Sequence, residues 1–519
     1  MLKYNLLILA SITVKSCYGV QNDTKKTDNP NIIFILADDL GYGDVSCLNG
    51  YSKIKTHNID KLASQGIQFT DAHTSSAVCT PTRYGILTGR YNWRTILKNG
   101  VLSGYSKALI DPDRLTVGEL LQQNNYKTGF VGKWHLGWDW AVVSPKDWKS
   151  GPLGSVPDPK VDFSKPILNG PKEHGFDYSY GIAGSLDMPP FVYVENGEAT
   201  SVPVDSTVNY DDKGYWRKGL TGSDFVHVDV LPNLTAKAIH YIREQASAHQ
   251  PFFLYFALPA PHTPILPTPE FMGRSNTNFY GDFVMQVDDV IGKIMAEVEK
   301  TGIEGHTILI FTSDNGCSPK ANFEELKKAG HNPSYIFRGM KADIYEGGHR
   351  VPFIVRWPGI VKPASKSAET ICTTDLMATI ADMLDYSLPD NTAEDSFSFL
   401  PALSGNEYKS PIREAIVHHS LNGRFALRKG DWKLILWPGS GGYNDKNLKG
   451  LPLFQLYNLK DDPGEEKNLI DVYPAKAFEL KELLTTYIER GRSTPGKPQR
   501  NEGMDNWPEI EWMHINSIN

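Results

Sequence analysis

In the stretch SSAVCTPTRYGILTGR, from Ser75 to Arg90, a cysteine, a proline and an arginine fall at alternate positions: Cys79, Pro81 and Arg83. Thr80 is a helix-capping residue type and Pro81 suits a first helical turn. The pattern therefore predicts a helix with Cys79 at its positive end and Arg83 one turn along the same side, a place for an anion. A buried structural thiol is the plainer reading of any lone cysteine, yet Pro at +2 and Arg at +4 accompany a given cysteine only about once in several hundred at average composition. Asp38-Asp39 and Asp314-Asn315 together offer three carboxylates and an amide oxygen. Each pair alone is ordinary turn sequence; jointly they are hard ligands that, without His or Cys, suit Ca²⁺ or Mg²⁺ rather than zinc. Lys133, His135, His262 and Lys341 are each unremarked loop side chains when taken singly. Gathered with Arg83 they would make a cationic pocket beside the metal, as transfer of a sulfuryl or phosphoryl group requires for its equatorial oxygens.

What must position them is a set of short apolar runs that end abruptly in polar residues. NIIFILADD stops at Asp38-Asp39, TGFVGKWHLG at Lys133 and His135, PFFLYFALPAPHTP at His262, and HTILIFTSDNG at Asp314-Asn315. Such runs are how fully buried parallel strands look when their C-terminal ends feed functional loops. Between them lie helical patterns: a Thr116/Glu119 capping box, and Phe283, Val287, Val290, Ile291, Ile294 and Val298 at helical spacing. Strands alternating with helices predict an α/β domain with a mostly parallel sheet and helices on both faces, its ligands outside the carboxyl ends of the strands, so the four polar clusters should converge. Residues 140–225, rich in Pro, Gly, Asp and Tyr, predict long ordered loops over the site. FALRKGDWKLIL and PLFQLYNL alternate like antiparallel strands, and Ala475 to Arg490 reads as one helix. The expected organisation is a catalytic domain over 28–404, a smaller α+β domain over 405–495 and a polar tail over 496–519.

The totals narrow the function classes. With 53 basic against 60 acidic residues, net −7, and no long Lys/Arg run, the chain lacks the footprint of a nucleic-acid binder. The N-terminus has the charged start and short apolar middle, Leu6 to Val14, of a secretory signal over 1–19, with Cys17 as a lipid-attachment cysteine in the alternative reading. Export to the periplasm or beyond follows. Five scattered cysteines do not make a disulfide framework or a zinc spacing, which leaves room for one bridge at most.

Taken in order and spacing, Asp38-Asp39, CTPTRYGILTGR, GKWHLG, APHTP, SDNG, YEGGHR and LYNLKDDPGEEKNL resemble the type I (arylsulfatase-like) sulfatases from Asn31 to about Leu484. The resemblance implies an alkaline-phosphatase-like fold with a smaller C-terminal domain, hydrolysis of sulfate monoesters, one bound Ca²⁺, and a Cys79 oxidised by a maturation enzyme to Cα-formylglycine. The hydrated aldehyde then offers one hydroxyl to attack sulfur and a second whose deprotonation eliminates sulfate, which a serine lacks. Position by position, the resemblance makes Asp38, Asp39, Asp314 and Asn315 the calcium ligands, with residue 79 completing the shell. It makes Arg83 and Lys133 the groups that hold and activate the formylglycine, and His135 the partner of its hydroxyl. His262 and Lys341 match the pair on the sulfate and the leaving oxygen, His262 being the general acid. Ser185 and Asp187 in GSLDMPP resemble a substrate loop. Many relatives have TYEGG where this chain has IYEGG, a departure away from the reacting groups. A sulfated carbohydrate is the expected substrate; Trp134, Trp138, Trp140, Tyr193, Trp216 and Trp437 either stack on sugar faces or pack between loops. Two other readings remain: a phosphomonoester or phosphonate monoester hydrolase on the same fold, and a non-catalytic receptor for sulfated glycans.

Overall fold

A computed structural model describes residues 29–515 apart from 149–150, 156, 249, 406–409, 444 and 504–506. The expected export segment, with Cys17, lies outside the described residues. The four apolar runs form strands Asn31–Ala37, Lys127–Lys133, Phe252–Ala257 and Thr307–Ser313. They lie side by side and parallel, in the order 307–313, 31–37, 252–257, 127–133, at the middle of a ten-stranded sheet. Phe353–Arg356 runs antiparallel next to Thr307–Ser313, whereas Tyr178–Ile182 continues the parallel set beside Lys127–Lys133.

Side chains alternate across a strand, so the central strand feeds two cores. Ile32, Phe34 and Leu36 face one side, with Tyr84, Ile86 and Leu87 of helix Cys79–Thr88 and Leu120 of helix Val117–Gln123. Ile33, Ile35 and Ala37 face the other, against helices Val230–Ser247 and Phe279–Lys300. The predicted helical spacing from Phe283 to Val298 is thus the buried stripe of Phe279–Lys300. Thr116 and Glu119 form the predicted box: the Thr116 hydroxyl accepts from the Glu119 N–H at 3.2 Å and the Glu119 carboxylate from the Thr116 N–H at 2.9 Å.

The stretch expected to be loops, 140–225, carries more regular structure than its composition predicts. Tyr178–Ile182 joins the sheet beside Lys127–Lys133, and Asp205–Asn209 pairs with Trp216–Thr221 as a hairpin. Toward the C-terminus, Ile416–His419, Phe425–Lys429, Trp432–Ile435 and Gln455–Asn458 make a four-stranded antiparallel sheet. Helix Pro474–Glu489 covers one face of it. The segment read as a polar tail also packs there: Trp507, Ile510 and Trp512 are buried with Phe425 and Leu484. Among the described residues Cys47, Cys79, Cys317 and Cys372 are free thiols, and no helix is long and apolar enough to cross a membrane.

One glycine sets how closely two functional strands approach. Gly132 has φ +125°, and a Cβ there would lie 1.8 Å from the Ala257 carbonyl oxygen. Gly302 also has positive φ, but nothing lies within 4 Å of its Cβ position. Gly132→Ala is expected to lower unfolding free energy by about 3 kcal/mol or more and Gly302→Ala by about 1 kcal/mol, measured by urea denaturation; equal costs would refute a steric origin.

Candidate active site

Strand register brings the chemistry together. Leu36 pairs with Ala257 and Ala37 with Ser313, while Ala257 pairs with Gly132, so Asp38, Lys133 and Asp314 leave three strands at one level. The Asp38 N–H donates to the Ala260 carbonyl at 2.9 Å and the Asp314 N–H to the Ala37 carbonyl at 3.0 Å. Asp39 then turns sharply, with φ +66°; its N–H donates to Asp314 Oδ1 at 3.2 Å and its carbonyl accepts from the Tyr280 hydroxyl at 3.1 Å. Cys79 is the first residue of its helix, as predicted, but the cap differs: Val78 holds that position without a side-chain bond. The Thr80 hydroxyl instead accepts from the Leu102 N–H at 3.2 Å, bracing a neighbouring loop.

The side chains form one buried lattice of charge. Lys133 Nζ lies 2.6 Å from Asp38 Oδ2. The Arg83 guanidinium donates to Asp314 Oδ2 through Nη2 at 2.7 Å and Nε at 3.1 Å, and to the Lys133 carbonyl through Nη1 at 2.9 Å. Asn315 Nδ2 donates to Asp39 Oδ1 at 2.7 Å, Lys341 Nζ sits 2.7 Å from the same oxygen, and His262 Nε2 lies 3.6 Å from Asp39 Oδ2. Two buried acceptors in this lattice have no hydrogen-bond partner: Asp38 Oδ1 and Asn315 Oδ1.

Those two oxygens test whether a cation fits. Burial and the charge of Asp38 push the Asp314 carboxyl up to about 7. Burial opposes ionisation of Asp38 as well, but Lys133, His262 and Arg83 outweigh it and hold that carboxyl well below the usual range. A divalent ion among the three carboxylates would favour the charged form of each and give the free oxygens a partner, so the residues fit a hard cation. Asp38, Asp39 and His262 also have donor atoms within 4.8 Å of one another. A second group, His73, Glu346, His349 and His418, meets the same proximity test. There, however, the His349 and His418 rings stack at 3.6 Å and 11°, so no ion can lie in both ring planes, where the lone pairs point. Lys433 Nζ already occupies that group, 3.0 Å from Glu346 Oε1 and 3.1 Å from His349 Nε2. It is a polar seam between the sheets.

Above the lattice opens a cavity of about 380 Å³ whose lining includes Cys79, His262, Lys341, Asp187, Arg217 and Tyr443. Burial pushes the Cys79 thiol above its ordinary pKa, against the pull of Lys133 and Lys341, which makes the unmodified thiol a poor source of thiolate. Burial and then Lys341 draw the His262 imidazole down, opposed by Asp39, and its Nδ1 meets the Thr263 carbonyl at 2.6 Å. His135, at φ +56°, points Nε2 to the Leu102 carbonyl at 2.8 Å and leaves a buried Nδ1 without a partner. Burial and Lys133 keep this ring neutral, so with Nε2–H donating, Nδ1 is a free acceptor.

Sequence reasoning thus places Asp38, Asp39, Cys79, Arg83, Lys133, His262, Asp314, Asn315 and Lys341 in one place, and the structure gathers them there. Asp187 lines the cavity; Ser185 is buried outside the lining with its hydroxyl unpartnered. None of the aromatics considered for sugar stacking lines the cavity. Trp134, Trp138, Trp140 and Tyr193 are core residues, Trp216 stacks on His227 at 3.9 Å, and Trp437 lies under the Arg424 guanidinium at 3.6 Å. Among the lining residues missed, Tyr215, Arg217 and Tyr443 carry no spacing signal; Arg217 belongs to the hairpin that composition concealed.

Comparison with known proteins agrees with this geometry. A family model described as Sulfatase matches residues 30–386, and one described as N-sulphoglucosamine sulphohydrolase, C-terminal, matches residues 340–492. An N-acetylgalactosamine-6-O-sulfatase of Bacteroides thetaiotaomicron is 37% identical over 518 residues, covering 91% of this chain and 96% of that protein. Human arylsulfatase A is 30% identical over 465 residues, covering 85% and 83%. A solved structure from work on the metabolism of multiple glycosaminoglycans by Bacteroides thetaiotaomicron superposes with a TM-score of 0.76 at 37% identity, covering 89% of this chain and 99% of that one. With its mostly parallel sheet, its smaller antiparallel sheet and its gathered acidic and basic groups, the chain belongs to the type I sulfatase family of the alkaline phosphatase superfamily and is a sulfuric ester hydrolase.

Proposed function

We propose that this enzyme removes sulfate from sulfated carbohydrates, with residue 79 matured to formylglycine and one Ca²⁺ held by Asp38, Asp39, Asp314 and Asn315. The observation that carries the proposal is that Cys79, His262 and Lys341 open onto one cavity directly above that acidic cluster, with two buried oxygens free for a cation. Four oxygen-bearing residues and no thiolate favour Ca²⁺ over softer ions. When bound, the ion supplies positive charge against the ester oxygens and against the hydroxyl of residue 79. Hydrated formylglycine supplies one hydroxyl for attack on sulfur and another for release of sulfate.

The remaining steps belong to fixed side chains. Arg83 and Lys133, both pinned to carboxylates, hold residue 79 and favour negative charge on its oxygen. His135 offers its free Nδ1 to a hydroxyl proton of that residue. Lys341 binds a sulfate oxygen. His262, fixed through Nδ1 by the Thr263 carbonyl, directs Nε2 toward the cavity floor and protonates the departing alcohol oxygen. The carbohydrate assignment is supported by the name of the 37% identical relative, and the apolar start of the chain supports export toward extracellular glycans. A formylglycine-generating enzyme is the implied maturation partner.

Four measurements test this reading. Cys79→Ala should lower kcat by about 10⁴-fold or more while the protein still melts cooperatively, and mass spectrometry of the Cys79 peptide from the natural source should reveal an aldehyde. Full turnover by the variant would remove residue 79 from the chemistry, and a thiol in active natural protein would remove formylglycine. Exhaustive chelation should abolish turnover and cost about 3 kcal/mol of stability relative to Ca²⁺ at a hundredfold its Kd, both restored by Ca²⁺; activity unchanged in metal-free protein is the contrary outcome. His262→Ala should slow sulfated sugars by about 10²- to 10⁴-fold and slow aryl sulfates less, because a phenolate leaves without a proton. Equal losses on both would argue against a general acid.

A further inference from the structure

The cavity contains a device that the sulfate chemistry does not use. Asp187 is buried, and its Oδ1 has no hydrogen-bond partner, while Oδ2 is paired with Arg217 Nη1. The same Nη1 also donates to the Asp187 carbonyl at 3.1 Å. Among the described residues the Arg217 Nε and Nη2 groups make no hydrogen bond, and the side chain is 38% exposed at the mouth of the cavity. The pair does not hold the hairpin in place. Backbone bonds do that: Phe191 N–H to the Leu220 carbonyl at 2.9 Å, Gly222 N–H to the Phe191 carbonyl at 2.8 Å, and Arg217 N–H to the Asp187 carbonyl at 3.1 Å.

A buried, acceptor-only oxygen next to unused guanidinium donors is complementary to two adjacent hydroxyls, one donating and one accepting. Val78, Val101, Leu153 and Met188 add apolar wall to the same cavity, suited to the C–H face of a pyranose ring. Resting on the sulfatase reading above, the geometry points to Arg217 as a specificity-determining residue: it fixes the Asp187 carboxylate and, with it, binds neighbouring hydroxyls of the sugar ring that carries the sulfate. The group selected is a vicinal diol, so the pair acts on the leaving sugar and not on the sulfate.

The test uses full-length protein with formylglycine confirmed by mass spectrometry, N-acetylgalactosamine 6-sulfate and galactose 6-sulfate as substrates, and inorganic sulfate as competing product. Arg217→Ala should raise KM about 10- to 100-fold with kcat within about threefold, as expected for a lost charged hydrogen bond, and leave the inhibition constant of inorganic sulfate within about twofold. Arg217→Lys should recover part of the KM, and the Arg217→Ala, Asp187→Ala double variant should be within about threefold of Asp187→Ala alone, because the two residues act as one unit. The proposal is overturned if Arg217→Ala leaves KM within twofold, if sulfate inhibition weakens in step with KM, or if the two losses multiply. Should Arg217→Ala fail to fold, the comparison of Arg217→Lys with parent protein carries the same criteria. Confirmed formylglycine protein that releases no sulfate from any sulfated sugar overturns the functional reading and this proposal together, whereas an active parent with an indifferent Arg217 overturns this proposal alone.

Discussion

Three carboxylates and three basic side chains share a buried region beneath the cavity, and the geometry of the site follows from balancing them. Asp38 is met by Lys133 at 2.6 Å and Asp314 by Arg83 at 2.7 Å, while Asp39 is met by Lys341 at 2.7 Å. Removing one member of such a buried pair leaves an uncompensated charge, at about 3–5 kcal/mol. Each cation arrives from a different element: Arg83 from a helix, Lys133 from a strand end, Lys341 from a segment far along the chain. The fold must therefore be complete before the charges cancel.

Lys341 ties the smaller sheet to the buried charges. The Lys341 N–H donates to the Cys317 carbonyl, Ala342 N–H to the Ala77 carbonyl at 2.8 Å, and Ile344 N–H to the Ser440 carbonyl at 2.7 Å. Ala77 N–H in turn donates to the His419 carbonyl at 2.9 Å. The segment carrying Lys341 is thus laced between the start of the Cys79 helix and the C-terminal sheet. Beneath it runs the polar seam of Lys433 with Glu346 and Glu465, and of Arg428 with Asp71. This seam is buried on both sides, so neither part can move without stranding charge. The C-terminal sheet fixes one cation of the site without itself supplying a carboxylate to it.

How much of this could be read from sequence depends on where each feature gets its reason. Strand Asn31–Ala37 was legible because a strand buried on both faces must be continuously apolar and must stop where polar side chains begin. Asp38, Lys133, His262 and Asp314 were legible as a group because parallel strands deliver their ends to one edge. The Asp205–Asn209 and Trp216–Thr221 hairpin was not, since it is half-exposed and held by backbone bonds to residues 187–191, leaving no apolar alternation to detect. Thr80 has the chemistry of a cap, and only the neighbouring Leu102 loop decides that its hydroxyl serves elsewhere. The tryptophans near the site announced a large apolar area without saying whether protein or sugar covers it. Tertiary contact settled that, as it did for Trp507 and Trp512.

Asp39 and His135 expose a deeper limit of local reading. Both follow strand ends and both occupy the left-handed region, φ +66° and +56°, which costs a residue with a Cβ about 1–2 kcal/mol. Local propensity would place glycine at each. Glycine would relieve the strain and delete the carboxylate that meets Lys341 or the ring that meets the Leu102 carbonyl. The surrounding bonds hold the strained forms: Asp39 through its N–H to Asp314 and its carbonyl to Tyr280, His135 through its N–H to the Ala183 carbonyl at 3.1 Å. The conflict between local preference and residue type at these two positions therefore marks where the strand ends meet the buried charges, and tertiary bonds, not propensity, decide it.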